Sequence, residues 1–190
     1  RTSSVAVGRE RMDEPDPRVI RAAAAGDEAA FTALMRSAQP HVWRFLRHLL
    51  GDDEQAADVT QETFVRVHAA LGRFRHQARF STWLFTIARN AAVDEQRRGA
   101  RRQRLQHVLA RPRPTADASL GTEVRAALAS LSPRLREAFV LVEVFGQPYQ
   151  DAAEVLRVPV GTVKSRVFRA RLELVQWFDE GTMHERGQDG

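Results

Sequence analysis

The chain has 190 residues, a formal net charge of +5 and no cysteine, a size that allows one ordinary domain or two small ones. Without cysteine, disulfides, thiolate metal sites and thiol redox sensing by this chain are excluded. Nearly all of its basic residues are arginines, which suit contacts with phosphates and base edges and indicate a polyanionic partner. No apolar run approaches the roughly twenty residues of a membrane span, and no signal-peptide pattern opens the chain. We therefore predict a soluble cytoplasmic protein that does not insert into a membrane.

The N-terminal part of the chain is predicted to form a framework of amphipathic helices. We expect residues 1–17 to be a flexible arm or an expression remnant, followed by a short alanine-rich helix that Gly26 ends. Asp27 can cap a second helix, which Pro40 interrupts. Because apolar residues continue at helical spacing from Val42 to Leu50, the pattern predicts either a further helix or a kinked extension.

The next predicted helix spans residues 54–71 and has a polar face of mixed charge. Four residues at three- and four-residue spacing form this face: Asp58, Gln61, Glu62 and Arg66. Such a face is either a solvated surface held by intrahelical ion pairs or a surface that binds another protein. The pattern alone favours the solvated surface, since most mixed-charge helix faces are of that kind.

A basic loop leads into a helix with aromatic residues in its first turns. The loop, residues 73–79, contains Phe74 between two arginines, and Ser81 is a good N-cap for a helix that runs out into further arginines. Unpaired bases stack on aromatic rings while arginines bind the backbone phosphates, so this stretch suits single-stranded nucleic acid. The alternative is that Trp83 and Phe85 are core residues, which is the commoner role of such a pair.

Residues 99–119 form a basic stretch in which Pro112 and Pro114 forbid a regular helix. We predict that this stretch is a linker of semi-extended character. Its composition fits a flexible basic tether and a functional segment about equally well.

The C-terminal part is predicted to be a second helical unit, residues 120–178, followed by a polar tail at residues 179–190. Three helices lead to a tight break at residues 157–159, after which a last helix runs from about Val160 to Phe178. This succession is the helix-turn-helix pattern, in which the second helix enters the major groove of DNA. Five residues near the start of that helix are predicted to face DNA: Thr162, Lys164, Ser165, Arg166 and Arg169.

Several of these stretches resemble the extracytoplasmic-function sigma factors, members of the sigma-70 family that direct bacterial RNA polymerase to promoters. Residues 58–67, the dipeptide at 74–75 and residues 80–98 look like domain two of these proteins, and residues 158–171 look like domain four. The resemblance implies an all-α protein of two small helical domains joined by a basic, Pro-containing linker. The domains would be residues 18–98 and 120–178, with the linker at residues 99–119.

The same resemblance implies partners and binding residues. Core RNA polymerase would dock on the face of Asp58, Gln61, Glu62 and Arg66. The melted −10 promoter element would be captured by Arg73, Phe74, Arg75, Phe80, Trp83, Arg89, Asn90 and Arg97. The −35 element would be bound by Thr162, Lys164, Ser165, Arg166 and Arg169. An anti-sigma factor would be a further partner, because members of this family are commonly held inactive by one, and no cofactor or metal is implied.

Two residues of the second unit depart from the family pattern. Arg157 occupies a turn position that commonly holds glycine, so a left-handed backbone there would carry strain of about 1 kcal/mol or more. Ala152 replaces a larger aliphatic residue between the two helices of the motif, which would loosen their packing.

Two other classes of protein fit parts of the sequence. A helix-turn-helix repressor or activator would bind duplex DNA without polymerase and would use residues 18–98 for sensing or dimerisation. The face that begins at Asp58 and the aromatic loop argue against it. The six histidines are scattered without metal-ligand spacing, and no phosphate-binding loop or nucleophile motif appears. We therefore predict a sigma factor that binds its partners and is not an enzyme.

Overall fold

The regular structure of the chain is helical wherever it is described. The computed structural model describes residues 10–75, 77–106 and 120–186, and no strand occurs among them. Its helices are α1 (Pro17–Ala24), α2 (Glu28–Leu50), α3 (Asp53–Leu71), α4 (Phe80–Gln106), α5 (Leu120–Ser130), α6 (Pro133–Phe139), a π-helical turn (Val140–Val144), α7 (Tyr149–Leu156) and α8 (Val160–Arg186). The prediction of an all-α chain with two small domains, here α1–α4 and α5–α8, is confirmed. None of the helices within these ranges is both long and apolar enough to cross a bilayer.

Side-chain caps fix the helix starts of the N-terminal domain. The carboxylate of Asp27 accepts from the backbone N–H of Ala30 at 2.9 Å, and that of Asp52 accepts from Gln55 at 2.7 Å. Helix α2 passes through Pro40 without a break, so the predicted extension is right and a separate helix is wrong. Burial explains this, because Ala38 before the proline and Val42 after it face the same core.

Helix α4 differs from its prediction at both ends. Ser81 is not the N-cap: the helix already begins at Phe80, and Ser81 is 1% exposed within its first turn. The helix also continues to Gln106 instead of ending near Arg98. Ion pairs of Glu95 with Arg98 and Arg102 support these extra turns. Residues 99–106 of the predicted linker are therefore helical, and residues 107–119 lie outside the described residues.

The helix-turn-helix unit is present as predicted. Helices α7 and α8 are joined by residues 157–159. Arg157 has φ 54° and ψ 48°, and within the described ranges it is the one non-glycine residue with positive φ. The turn therefore carries the predicted strain of about 1 kcal/mol. Helix α8 extends to Arg186, beyond the predicted end at Phe178, so much of the predicted tail is helical.

The two domains pack against each other through an aromatic contact. Phe145, which follows the π-helical turn, lies 5.6 Å from Phe45 of α2 and 5.3 Å from Phe85 of α4, measured between ring centroids. All three rings are fully buried. Burying a side chain of this size is worth about 1.5–3 kcal/mol. The contact therefore holds the C-terminal domain against α2 and α4.

Arginine side chains add polar contacts between the domains. Arg136 of α6 donates to the carbonyl oxygen of Leu49 at 3.0 Å and to carbonyl oxygens at the end of α5. Burial lowers the pKa of this guanidinium. Its donors meet the free carbonyls of two helix C-termini, one from each domain.

Residues 10–16 are ordered against both domains, whereas the sequence predicted a flexible arm for residues 1–17. The side chain of Met12 is 4% exposed. The backbone N–H of Glu10 donates to the carbonyl of Val144 at 2.8 Å, and its carboxylate lies 3.2 Å from Arg44. We call residues 10–16 the N-terminal strap.

Candidate nucleic-acid interface

Three aromatic rings from the loop before α4 and from its first turn form one cluster. The ring centroids of Phe74 and Trp83 are 5.0 Å apart, and Phe80 lies 5.6 Å from Trp83 and 5.9 Å from Phe74. Phe80 is 2% exposed, whereas Phe74 and Trp83 are partly buried. The structure thus brings together three of the predicted −10 residues, with Phe80 as the inner ring and the other two nearer to solvent.

An open groove of about 670 Å³ lies beside this cluster. Its lining includes Phe74, Phe80, Arg79 and Glu14. Rings next to a cation suit a stacked base and its phosphate. The carboxylate of Glu14 does not suit a phosphate, because the two groups are both negatively charged and repel each other.

Glu14 caps the start of α4. Its carboxylate accepts from the backbone N–H groups of Phe80 at 3.0 Å and Ser81 at 3.3 Å, and also from the Ser81 hydroxyl. Arg79 lies 3.4 Å from the same carboxylate. An anion is stabilised at a helix N-terminus by the free N–H groups and the helix dipole. Glu14 was missed because it lies 66 residues before Phe80, and no local pattern connects them.

The predicted arginines of this region fall into two groups. Arg73, Arg75 and Arg97 are exposed, and the described part of the chain gives them no ion pair. Arg89 is partly buried, and its Nη2 lies 3.0 Å from the carboxylate of Glu137 on α6. Asn90 follows it and is also partly buried. Arg89 is therefore engaged by the C-terminal domain, whereas the loop arginines and Arg97 face solvent.

The predicted polymerase face on α3 is only half solvated. Asp58 and Gln61 are exposed. Glu62 and Arg66 form the predicted intrahelical pair but also reach α4, where Arg66 binds Asp94 at 2.9 Å and Glu62 binds Arg98 at 2.7 Å. Hydrogen bonds from Arg98 and Arg66 lower the pKa of Glu62. These two residues thus fix α3 against α4 and leave Asp58 and Gln61 as the open part of the face.

Val65 adds an apolar group to this face. It is 69% exposed, the largest exposure among the large hydrophobic residues described. It lies one turn after Gln61 and two turns after Asp58, so all three share one side of α3. Val65 was not predicted as part of this face, because a single valine does not change a polar pattern.

The five predicted −35 residues lie together in the first three turns of α8. Lys164, Ser165 and Arg169 are exposed, and Thr162 and Arg166 are partly exposed. The Ser165 hydroxyl donates to the carbonyl of Thr162 at 2.9 Å. No carboxylate of the described residues pairs with the three cations. This end of α8 therefore presents unneutralised donors at the position from which a helix-turn-helix protein contacts base edges.

An apolar stripe continues from these residues along α8. Phe168 is 61% exposed, Leu172 50% and Val175 59%. Their spacing of four and three residues places them on one side of the helix. An exposed apolar stripe of this kind marks a surface that a protein partner can cover.

These features define a class of protein: an all-helical transcription factor with a basic helix-turn-helix unit and a second, aromatic and basic surface. Comparison with known families agrees with it. Sigma-70 region 2 matches residues 34–102, and Sigma-70 region 4 matches residues 122–174. The first range contains the aromatic cluster and the α3 face, and the second contains most of the helix-turn-helix unit.

Alignments with curated relatives cover most of the chain. The probable RNA polymerase sigma-C factor of Mycobacterium bovis is 38% identical over 174 residues, which cover 84% of this chain and 89% of the relative. The RNA polymerase sigma-H factor of Pseudomonas aeruginosa is 33% identical over 187 residues, covering 83% and 91%. The chain therefore belongs to the sigma-70 family and is an alternative RNA polymerase sigma factor of the extracytoplasmic-function type.

Solved structures give the same result. The sigma factor RpoE in complex with the anti-sigma factor NepR from Bartonella quintana has a TM-score of 0.69 and 30% identity, covering 78% of this chain and 96% of that one. CnrH in complex with the cytosolic domain of CnrY has a TM-score of 0.67 and 28% identity, covering 86% and 96%. Sigma factors initiate transcription without catalysing a reaction, so the prediction of a non-enzyme is confirmed, and the repressor or activator alternative is wrong.

Proposed function

We propose that this sigma factor acts in the cytoplasm, binds core RNA polymerase and directs it to promoters through two DNA-binding surfaces. The aromatic cluster of Phe74, Phe80 and Trp83 captures the melted −10 element, and the start of α8 binds the −35 element. The observation that carries the proposal is the cluster itself, because three rings from two segments meet beside exposed loop arginines.

The −10 surface promotes strand opening by binding the unpaired state. Base stacking on an aromatic ring is worth about 1–3 kcal/mol per base. Bases inside a duplex are already stacked and are not available to Phe74 or Trp83. Binding energy is therefore gained only after the strands separate, and it shifts the equilibrium toward the open complex. Arg73, Arg75 and Arg97 bind the phosphates of the captured strand, and Asn90 contributes hydrogen bonds.

The −35 surface fixes the register of the protein on duplex DNA. Arg166 and Arg169 have the donor geometry that binds guanine edges or phosphates, and Lys164 supplies a third cation. Thr162 and Ser165 are small enough to let α8 approach the groove closely. Because no described carboxylate neutralises these cations, no intramolecular ion pair has to break before they bind DNA.

Core polymerase binds the side of α3 that carries Asp58, Gln61 and Val65, with Glu62 and Arg66 at its border. The exposed valine supports this assignment, since an apolar centre within a polar border is the usual anatomy of a protein interface. Glu62 and Arg66 hold this helix against α4. Polymerase binding and −10 binding therefore use two joined helices.

An anti-sigma factor is the further partner. One similar structure is a sigma factor bound to an anti-sigma factor, and a second is CnrH bound to the cytosolic domain of CnrY. The exposed stripe of Phe168, Leu172 and Val175 offers such a partner an apolar surface beside the −35 residues. A protein bound there would also cover the DNA-binding end of α8.

Run-off transcription tests the proposal. Purified core polymerase is incubated with a pool of genomic promoter fragments, with and without this chain. New discrete transcripts that depend on the chain are expected, and their start sites yield the −35 and −10 sequences together. Specific binding of duplex DNA by the chain alone, without any new transcript, would contradict the proposed role of both surfaces in initiation.

A further inference from the structure

The N-terminal strap joins three parts of the molecule. Met12 is buried in the core, and Glu10 hydrogen-bonds the π-helical turn of the C-terminal domain through its backbone. Glu14 caps α4 of the N-terminal domain. The strap therefore connects the start of the proposed −10 helix with the domain proposed to bind the −35 element.

Glu14 occupies the place that suits a phosphate. The N–H groups of Phe80 and Ser81, the Ser81 hydroxyl and the Arg79 guanidinium all converge on its carboxylate. The same groups would bind a phosphate oxygen by the same charge-assisted contacts. They border the groove that contains Phe74 and Phe80, where the phosphate of a base stacked on this cluster would lie.

We propose that the strap is an autoinhibitory clasp whose Glu14 competes with the phosphates of unpaired promoter DNA. The inference rests on the proposed function, since it regulates the same −10 surface. With Glu14 in place, the groove carries a carboxylate and Arg79 is neutralised. When the strap leaves, the N–H groups at the start of α4 are free to bind the strand, and Arg79 keeps only its longer contact with Asp151.

The clasp also holds the domains too close for promoter binding. Arg79 reaches beyond Glu14 to Asp151 of α7, at 3.7 Å. Helices in contact have axes about 8–10 Å apart. The −10 and −35 elements are separated by about 25 base pairs, which is about 85 Å of DNA. Binding both elements therefore requires the C-terminal domain to leave α4, and the contacts of Glu10 and Arg79 oppose this movement.

Substitution of Glu14 by glutamine in the full chain tests the clasp. The amide side chain would keep an oxygen that accepts from Phe80 but would lose the charge that pairs with Arg79. We expect Glu14→Gln to bind a fluorescent 30-nucleotide single strand of mixed sequence about two- to fivefold more tightly, the range expected for a partly exposed ion pair. Asp13→Asn is the matched control, because it removes the same charge from an exposed neighbour on the strap. It should change the affinity by less than about twofold.

The single-strand result is compared with transcription by core polymerase. Glu14→Gln should also speed open-complex formation on a duplex promoter, with a smaller gain on a pre-melted one. Equal affinities of the Glu14→Gln and Asp13→Asn variants, or a slower opening by Glu14→Gln, would overturn the clasp and make Glu14 a cap that supports DNA binding. Glu14→Ala, which removes every acceptor, must shift the affinity in the same direction as Glu14→Gln.

The two proposals fail in different ways. If the unmodified chain yields no specific transcript but Glu14→Gln still binds single strands more tightly, the proposed promoter function fails and the clasp stands. If the unmodified chain initiates transcription and Glu14→Gln gains nothing over Asp13→Asn, the clasp fails and the promoter function stands. Thermal unfolding of each variant identifies any change in affinity that comes from a loss of folded protein.

Discussion

Helices α4 and α8 are both 27 residues long and both carry arginines, yet their predicted DNA-binding residues differ in exposure and in ion pairing. On α8, Lys164 and Arg169 face solvent without an ion pair to the described chain. On α4, Phe80 is buried and Arg89 is paired with Glu137 of the other domain. The surface proposed for duplex DNA is open, whereas the surface proposed for unpaired DNA is partly covered.

The difference follows from what each helix packs against. Helix α8 lies on α5, α6 and α7 and keeps its first turns free on the other side. Helix α4 contacts α2 and α3 of its own domain and α7 of the other, and Glu14 caps its N-terminus. A basic sequence pattern therefore indicates affinity for nucleic acid, but packing decides whether the side chains are accessible.

Breaking the domain contact should have the largest effect. Phe145→Ala removes a fully buried ring from between Phe45 and Phe85, and we expect it to lower the free energy of unfolding by about 3–5 kcal/mol. Urea denaturation measures the loss. Phe168→Ala is the control, since a ring that is 61% exposed should cost less than about 1 kcal/mol. Equal losses for the two variants would show that Phe145 does not hold the domains together.

The next largest effect concerns the open surface of α8. Lys164→Ala combined with Arg166→Ala should weaken binding to a duplex −35 element by about 2–4 kcal/mol, because each contact is worth about 1–3 kcal/mol and neighbouring contacts do not add fully. Association with core polymerase should not change. Arg171→Ala is the control in the same helix, because Arg171 is held by Glu143 at 2.7 Å. Fluorescence anisotropy with labelled duplex measures all variants, and an unchanged affinity of the double variant would contradict the −35 assignment.

Lowering the pH should destabilise the packing of Phe145 against α2 and α4, because His48 of α2 lies beside this ring. Its ring lies 6.3 Å from that of Phe145. Burial, and then the nearby Arg47, Arg44 and Arg125, lower the pKa of His48 to about 4. The described residues give its buried Nδ1 no hydrogen-bond partner.

The sign of the pH effect follows from that lowered pKa. An unfolded histidine has a pKa of about 6.5, so between pH 6.5 and about 4 the unfolded chain binds a proton that the folded chain does not. The stabilisation is complete above pH 6.5 and is lost as the pH falls, by up to about 3 kcal/mol. Urea denaturation at pH 7 and pH 4.5 measures it. His48→Gln should flatten the dependence, and an equally steep loss in that variant would assign it to other groups.

The features that could be predicted from the sequence are those with local signals. The helix-turn-helix unit follows from the apolar spacing on both sides of a short break, and the aromatic residues around α4 lie close together in the sequence. The strain at Arg157 follows from the family pattern, which commonly holds glycine at this turn. Features that depend on a distant residue could not be predicted in this way. Serine is a preferred N-cap residue, which is why Ser81 was predicted to cap α4. Glu14 instead supplies a charged acceptor at the same helix end, and a carboxylate competes well for free N–H groups.

The pairing of Arg89 shows why the binding surface was harder to predict than the fold. Glu137 follows it by 48 residues, and nothing in a helical pattern connects two side chains at that separation. The same is true of Phe145, whose burial between α2 and α4 depends on how the domains pack. Periodicity identifies which side of a helix is apolar, but it does not identify the element that covers the polar side.

The smallest of these four effects is expected in the aromatic cluster. Trp83→Ala should slow open-complex formation about tenfold, because stacking on one ring is worth about 1–3 kcal/mol per base. Binding to the closed duplex promoter should change little, since paired bases do not reach Trp83. Trp43→Ala is the matched control. Trp43 is also partly buried and is held by Arg47, 5.2 Å from its ring, but it belongs to α2 and not to the segments that form the cluster.

A pre-melted template separates stacking from core packing at Trp83. Premelting removes the cost of strand separation, so a variant that only stacks less well should recover most of its rate. A variant that has lost the packing of Phe74 and Phe80 should recover nothing and should unfold at a lower urea concentration than Trp43→Ala. Recovery with unchanged stability assigns Trp83 to DNA. Loss of both makes Trp83 a core residue and leaves Phe74, the other partly buried ring, as the stacking surface.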